Sequence, residues 1–427
     1  MTKYLLNEID ELLQNNIISD DVAKNIKLYY SNKDAQIKEN KLPIVFGVLG
    51  ALLGGLGIIL ILAHNWDNFS IATKSVISFF PLIIGQMACT FSLLKKNNNA
   101  TWNESSATFL FFAVAATISL IAQIYNLPED FKGFLQIWLL LTLPLIYIMQ
   151  SRVVSLIYIL VLTVYGTYTN INFFEKHNYL YFIFLIAVLP FYFIQLKNKF
   201  NSNLTYFHHW FIALSLTIVL SNYFKPKDLS AIIAYFSMYS IFYSIGKFKG
   251  FKTLPSISNA YWIVGKLGTL FLLFLLSFKW FWTENYTYLP TLFSLESGLA
   301  ILLFTVAFYL LFNNYHKNNY FFRNPIPYAF IMISLFILMI SKVNEIVPVI
   351  FVNLLVLGIG IYEIINGNKK DSLLRVNFGL IIISILIACR FFDTNMSFVV
   401  RGILFISIGI GFFAFNYYLL NKRKNGN

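Results

Sequence analysis

From about residue 43 to the last dozen residues, the chain alternates about fourteen apolar stretches with short polar connectors. Residues 43–63 alone carry no charge and are long enough, as a helix, to cross about 30 Å of hydrocarbon. Repetition of such stretches decides the class. Inside lipid no water is available to the peptide group, so only helices or closed barrels satisfy their backbones there. The expected fold is all-α: a polytopic transmembrane helix bundle of about fourteen spans, preceded by a small N-terminal cytosolic helical hairpin. The spans are expected at 43–63, 73–94, 106–125, 133–150, 153–169, 178–195, 205–223, 229–246, 258–278, 291–312, 325–342, 346–366, 372–392 and 396–419.

Composition agrees. The chain is 58% hydrophobic and only 12% charged, against about 25% charged in soluble domains. Its net charge of +13 does not point to nucleic acid, because the basic residues sit mainly in connectors, where lipid headgroups and membrane orientation account for them. Positive charge also alternates from connector to connector. Lys95, Lys96, Arg152, Lys197, Lys199, Lys247, Lys249 and Lys252 fall on one side, with the head and the tail. The other side is sparse, with Lys74, Lys132, Lys176 and Lys279 among its few cations. The richer side is expected to face the cytoplasm, which puts both termini inside and demands an even number of spans. Residues 1–42 then form a cytosolic helical head, 43–421 the bundle and 422–427 a basic tail. The head is too polar for a cleavable signal, so the first span is expected to direct insertion itself.

Within the head, Ser19 is placed to cap a helix carrying Val22, Ile26 and Tyr29 on one side. Glycines in the first span (Gly47, Gly50, Gly54, Gly55, Gly57) and in the last (Gly402, Gly409, Gly411) predict close helix packing, with a dimer seam as the alternative. Pro81, Pro144, Pro190 and Pro348 lie within spans and are expected to kink them. Cys89 and Cys389 both lie in apolar segments, so no structural disulfide is expected.

Three polar clusters fall at the outer ends of spans. The first is His64-Asn65-Trp66-Asp67. The second runs from Gln123 through Tyr125 and Asn126 to Glu129 and Asp130. The third is Arg390 with Asp393, followed by Arg401; Glu296 lies early in the tenth span on the same side. Charged groups within a bilayer cost roughly 2.5–3.5 kcal/mol each on insertion scales, so they turn inward or towards a wet cavity. The candidate site is therefore an outer polar pocket of His64, Asn65, Trp66, Asp67, Gln123, Tyr125, Glu296, Arg390, Asp393 and Arg401. Each has a plainer structural use: Asp67 or Ser70 as the cap of the second span, Asp393 or Asn395 as the cap of the last, Trp66 in an interfacial belt, Arg390 in a local pair with Asp393. Elsewhere, Lys266 is expected to snorkel, and Arg375 and Glu363 to join Lys369 and Lys370 in a surface ion-pair cluster. His208 and His209 are adjacent and so point to different helix faces, a poor metal pair. No metal, nucleotide or hydrolase motif is present, so no catalytic residue, metal or cofactor is expected.

Some of these residues carry a resemblance. The head segment Leu12-Leu13…Ile17-Ile18-Ser19, the glycine-rich span closing in Ala63-His64-Asn65-Trp66-Asp67, Lys74, the run Ala122-Gln123-Ile124-Tyr125-Asn126-Leu127, and Trp138 and Pro144 together resemble the bacterial membrane family called domain of unknown function 2157. The family's N-terminal pattern covers about the first 150 residues. The stretch from Arg390 to Arg401-Gly402 and Lys422-Arg423 is similar to the ending shared by this family and related multi-span proteins. The resemblance implies a bacterial inner-membrane location and no particular activity. Two functions fit the residues: a transporter or channel for a small solute, or a sensor or scaffold whose head contacts a cytosolic partner.

Overall fold

The computed structural model describes residues 9, 12–13, 15, 17–37, 41–65, 69–96, 99–168, 179–224, 228–284, 294–318, 325–339, 346–393 and eight positions between 399 and 417; the side chains of some of these, 61–65 and 392–393 included, lie outside the description. The fold is all-helical, as expected. Among the described residues the helices are α1 (Asp20–Ile37), α2 (Lys41–Asn65), α3 (Ile71–Lys95), α4 (Ala100–Ile124), α5 (Phe131–Ile148), α6 (Arg152–Tyr168), α7 (Leu180–Asn198) and α8 (Asn203–Leu220). They continue with α9 (Leu229–Gly246), the short α10 (Lys249–Lys252), α11 (Ala260–Leu276), the short α12 (Lys279–Glu284), α13 (Leu295–Asn318), α14 (Ala329–Met339), α15 (Ile346–Lys369) and α16 (Leu373–Asp393).

Nine helices among the described residues are long and apolar enough to cross a membrane. Four of the other expected spans carry shorter apolar helices: Val45–Gly54, Arg152–Tyr168, Ala260–Leu276 and Ile326–Ile337. Of the last expected span only scattered residues are described. Most of the first arm of the expected head hairpin also lies outside the described residues. Its second arm is α1, which begins directly after Ser19. There Ala23 is buried and Val22 is 46% exposed, so the inward face is set one residue later than the apolar pattern suggested.

Two compact units divide the chain, residues Met1–Tyr158 and Ile159–Asn427. In unit 1, α4 is the central element and packs against α2, α3 and α5. Its apolar face holds Ala107, Phe111 and Ala113, all buried. Polar side chains tie the neighbours to it: Thr117 Oγ1 donates to Ser78 O at 2.9 Å, and Trp138 Nε1 donates to Phe111 O at 2.9 Å. Ser92 Oγ donates to Asn103 Oδ1 at the other end of the α3–α4 pair. Each bond crosses between helices, which is how spans adhere when lipid offers apolar groups no reason to leave it.

Unit 2 is centred on α9, which packs against α11 and α13, while α15 and α16 form a tight pair. Its core includes Phe236, Leu273, Phe330, Val352 and Val356. Small residues set the close approaches here. A Cβ at Gly265 would meet Tyr243 N at 2.5 Å, one at Gly246 would meet Trp262 N at 2.6 Å, and one at Gly379 would meet Gly360 O at 2.7 Å. The glycines singled out by spacing behave differently. Among the described residues, no atom lies within 4 Å of a Cβ built at Gly50, Gly54, Gly57, Gly402 or Gly409, whereas one at Gly47 would closely meet Ser105. Spacing shows that a small face exists, not that another helix covers it.

Turns between helices are capped economically. Ser70 accepts from Thr73 N at 3.2 Å at the start of α3, Asn99 from Thr101 N at 3.0 Å before α4, and Asp228 from Ser230 N at 2.8 Å before α9. The described non-glycine residues with positive φ are Asn126 (47°), Gln150 (49°) and Asp371 (49°), each one residue beyond a helix C-cap position. Pro81, Pro144 and Pro190 lie inside helices, whereas Pro348 sits in the first turn of α15, where no backbone donor is needed.

Candidate functional site

The conspicuous motif of the third span resolves into a helix stop. Helix α4 ends at Ile124. Leu127 N donates back to Ala122 O at 2.9 Å and Asn126 N to Gln123 O at 3.3 Å, with Asn126 in the left-handed region. This is a Schellman arrangement, with Asn where glycine is commonest. Pro128 follows, and Asp130 then caps α5 by accepting from Gly133 N at 2.8 Å. Gln123 and Tyr125 are exposed, and the Tyr125 hydroxyl lies 3.3 Å from Ser75 Oγ.

This stop forms one end of a cleft. A volume of about 600 Å³ lies between α3, α4 and α5, closed at one end by Ala122, Leu127, Pro128 and Asp130. Its walls are mostly apolar, with Phe79, Leu82, Ile118 and Phe134 among them. Besides Asp130 and the hydrogen-bonded Thr117, the polar side chain on its wall is Gln86, an exposed amide on α3 well inside the helix. A mostly apolar concavity with a few placed polar groups is the usual form of a small-molecule site. A second, smaller cavity of about 350 Å³ lies between Leu52, Leu56, Pro81, Phe112 and Trp138 and is almost wholly apolar.

Below the cleft the unit is held by a buried carboxylate. Glu104, on the first turn but one of α4, is 3% exposed. Its Oε1 accepts from Arg152 N at 3.1 Å and its Oε2 from Val153 N at 3.1 Å, while Ser151 Oγ also donates to it. The Arg152 guanidinium lies 3.7 Å away and is itself buried. Glu104 thus fills the N-terminus of α6 from another helix, with backbone donors, hydroxyl and cation all satisfying one charge.

The expected outer pocket is placed only in part. His64 and Asn65 end α2, with side chains outside the described residues; Trp66, Asp67 and Arg401 lie outside altogether; Asp393 ends α16, its side chain likewise outside. Gln123 and Tyr125 belong to unit 1, Glu296 and Arg390 to unit 2. Glu296 is buried in the first turn of α13. Arg390 reaches across to the C-terminus of α11, where its Nη2 donates to Ser277 O and, at 3.2 Å, to Ser277 Oγ. That is a helix-end clasp, a use that the expected pair with Asp393 did not anticipate.

Other polar residues differ from expectation as well. Lys266 does not snorkel free: its ammonium lies 3.8 Å from Glu363 and 3.4 Å from the centre of the Phe378 ring. Glu363 therefore pairs across to α11. His208 and His209 are both fully buried, His209 Nδ1 lying 3.1 Å from Ser258 O and its ring among those of Tyr192, Phe251 and Tyr261. Among the described residues no group of His, Cys, Asp and Glu is arranged to hold a metal ion.

Spanning-length apolar helices, joined by short capped connectors and tied by buried polar bonds, define a multi-pass membrane protein. Residues 10–155 match the model of a family described as predicted membrane protein (DUF2157), the family that this part of the chain was expected to resemble. The matched stretch ends within a few residues of the boundary of unit 1 and contains the cleft, its Asn126 stop and the Glu104–Arg152 anchor. No curated protein and no solved structure matches the chain.

Proposed function

We propose that the protein is a transporter or channel for a small, largely apolar solute in a bacterial inner membrane, with both termini cytoplasmic. The cleft between α3, α4 and α5 is the solute's station in unit 1, with Gln86 meeting the solute's polar end and Gln123 and Tyr125 standing beside the end formed by the helix stop. One observation carries the reading: an amide held at mid-helix in a spanning segment, exposed into a cleft of about 600 Å³. A polar side chain at that depth is costly unless it faces a wet or solute-filled space. The test is uptake into vesicles holding the purified protein, run over a panel of small neutral and anionic solutes. Wild-type protein should admit at least one of them, and Gln86→Leu should lower that uptake about tenfold while inserting normally. Unchanged uptake by Gln86→Leu would end the proposal.

A second reading makes the head, residues 1–42, a contact for a cytosolic partner. The exposed apolar side chains Ile17, Val22 and Leu28 favour it. Deleting residues 1–35 should then abolish capture of that partner and leave solute uptake intact; capture that survives the deletion counts against this role.

A further inference from the structure

At one end of unit 2 four helix ends converge and bring cations together with little to balance them. Lys247 is the C-cap of α9. Its ammonium lies 4.8 Å from the centre of the Trp262 ring and 5.6 Å from that of Tyr243. Lys266 approaches Trp262 from the next turn of α11, at 5.4 Å. Arg375 opens α16, and both it and Lys252 of α10 act electrostatically on Lys247. Among the described residues, Glu363 is the carboxylate that acts on Lys247, and it is already engaged by Lys266.

We propose that this end of unit 2 binds the phosphate of an anionic phospholipid, held by Lys247, Lys252 and Arg375. Charge complementarity selects an anion. Lipid, rather than a free anion, is selected by what flanks the cations. Phe248, next to Lys247, is 39% exposed, and Leu374, next to Arg375, is 84% exposed. Exposed apolar side chains beside basic ones, with Trp and Tyr rings at the ends of spanning helices, match the chemistry of the headgroup level. Lys247, Lys252 and Arg375 are all exposed and so accessible to a headgroup, whereas Lys266 is largely buried and committed to Glu363.

The state of Lys247 supports the same reading. Desolvation by burial, followed by the charges of Arg375, Lys266 and Lys252, lowers its pKa to about 8; Glu363 opposes the shift. A phosphate seated among these groups adds counter-charge and restores the ammonium. The proposal concerns unit 2 and is independent of the solute cleft in unit 1.

The experiment uses the full chain purified in a neutral detergent. Its thermal unfolding midpoint is followed as phosphatidylglycerol, phosphatidylcholine with the same acyl chains, or inorganic phosphate is added. Phosphatidylglycerol should raise the midpoint, and the other two should not. In the Lys247→Gln/Arg375→Gln double variant the concentration of phosphatidylglycerol needed should rise about tenfold or more. Lys252→Gln, a change at an exposed site, should raise it by a smaller factor and covers the case in which the double variant does not fold. Equal shifts with phosphatidylcholine overturn the proposal, as do unaltered responses in the variants. A shift from inorganic phosphate alone assigns the site to a free anion and overturns the lipid reading.

Discussion

Single residues carry the fold in places that apolar pattern does not reveal. Glu104 is the clearest case. It lies just before the expected start of the third span and reads as one more charge at a membrane boundary. In the structure it is buried and receives two backbone N–H groups, the Ser151 hydroxyl and the Arg152 guanidinium. Removing one partner of such a pair leaves the other buried and uncompensated, at a cost of about 3–5 kcal/mol. Glu104→Ala should therefore lower the thermal midpoint of the purified protein sharply. Glu104→Gln, which keeps the shape and one acceptor, should cost clearly less. Equal midpoints for Glu104→Ala and wild type would show that the carboxylate does not hold α6. Nothing local marks Glu104 in the sequence. Its partners are nearly fifty residues away, and only the return of α6 to the start of α4 makes them neighbours. Gln86 is inconspicuous in the sequence for a different reason: one amide does not interrupt the apolar run that defines the second span.

At the scale of elements, helix existence was plain in the sequence and helix contact was not. The expected spans 73–94, 346–366 and 372–392 fall on α3, α15 and α16 within three residues, because long apolar runs take helical form in lipid. Glycine spacing alone does not locate the close approaches, since these need a partner as well as a small side chain. Gly265 and Gly379 have one; among the described residues, Gly50 and Gly54 meet nothing within 4 Å. The polar cluster from Gln123 to Asp130 proves to contain the stop of α4 and the cap of α5. Its chemistry is conformational: Asn126 must hold φ at 47°, which Asn tolerates, glycine adopts freely and β-branched residues resist. Asn126→Gly should leave the thermal midpoint nearly unchanged, and Asn126→Val should destabilise by about 1–2 kcal/mol. A Val variant as stable as wild type would remove the Schellman stop from the account of how α4 turns into α5.

Across the whole molecule, threading is the property on which a transporter most depends, and charge argues it better than helix count. Nine described helices have the length and hydropathy to span, and four shorter apolar helices fall on further expected spans. Several of those shorter helices gain support from neighbours in place of length. Helix α11, for instance, is wedged against α9 at Gly265 and tied by Asn259, which donates to Gly246 O at 2.8 Å and to Phe251 O at 3.0 Å. Whether each crosses the bilayer alters the side on which every later connector emerges. The alternating basic residues give a definite expectation: the connector at Lys249, rich in lysine, faces the cytoplasm, and the poor connector at Trp66 faces the opposite side. Reporter domains fused after these two positions, one active only in the cytoplasm and one only outside it, should give opposite readings. The connector after Lys95 should read as Lys249 does, because α3 alone separates it from Trp66. Matching readings at Trp66 and Lys95 would mean that α3 does not cross. The cleft lined by Gln86 would then open on one face of the membrane and could not pass a solute through it.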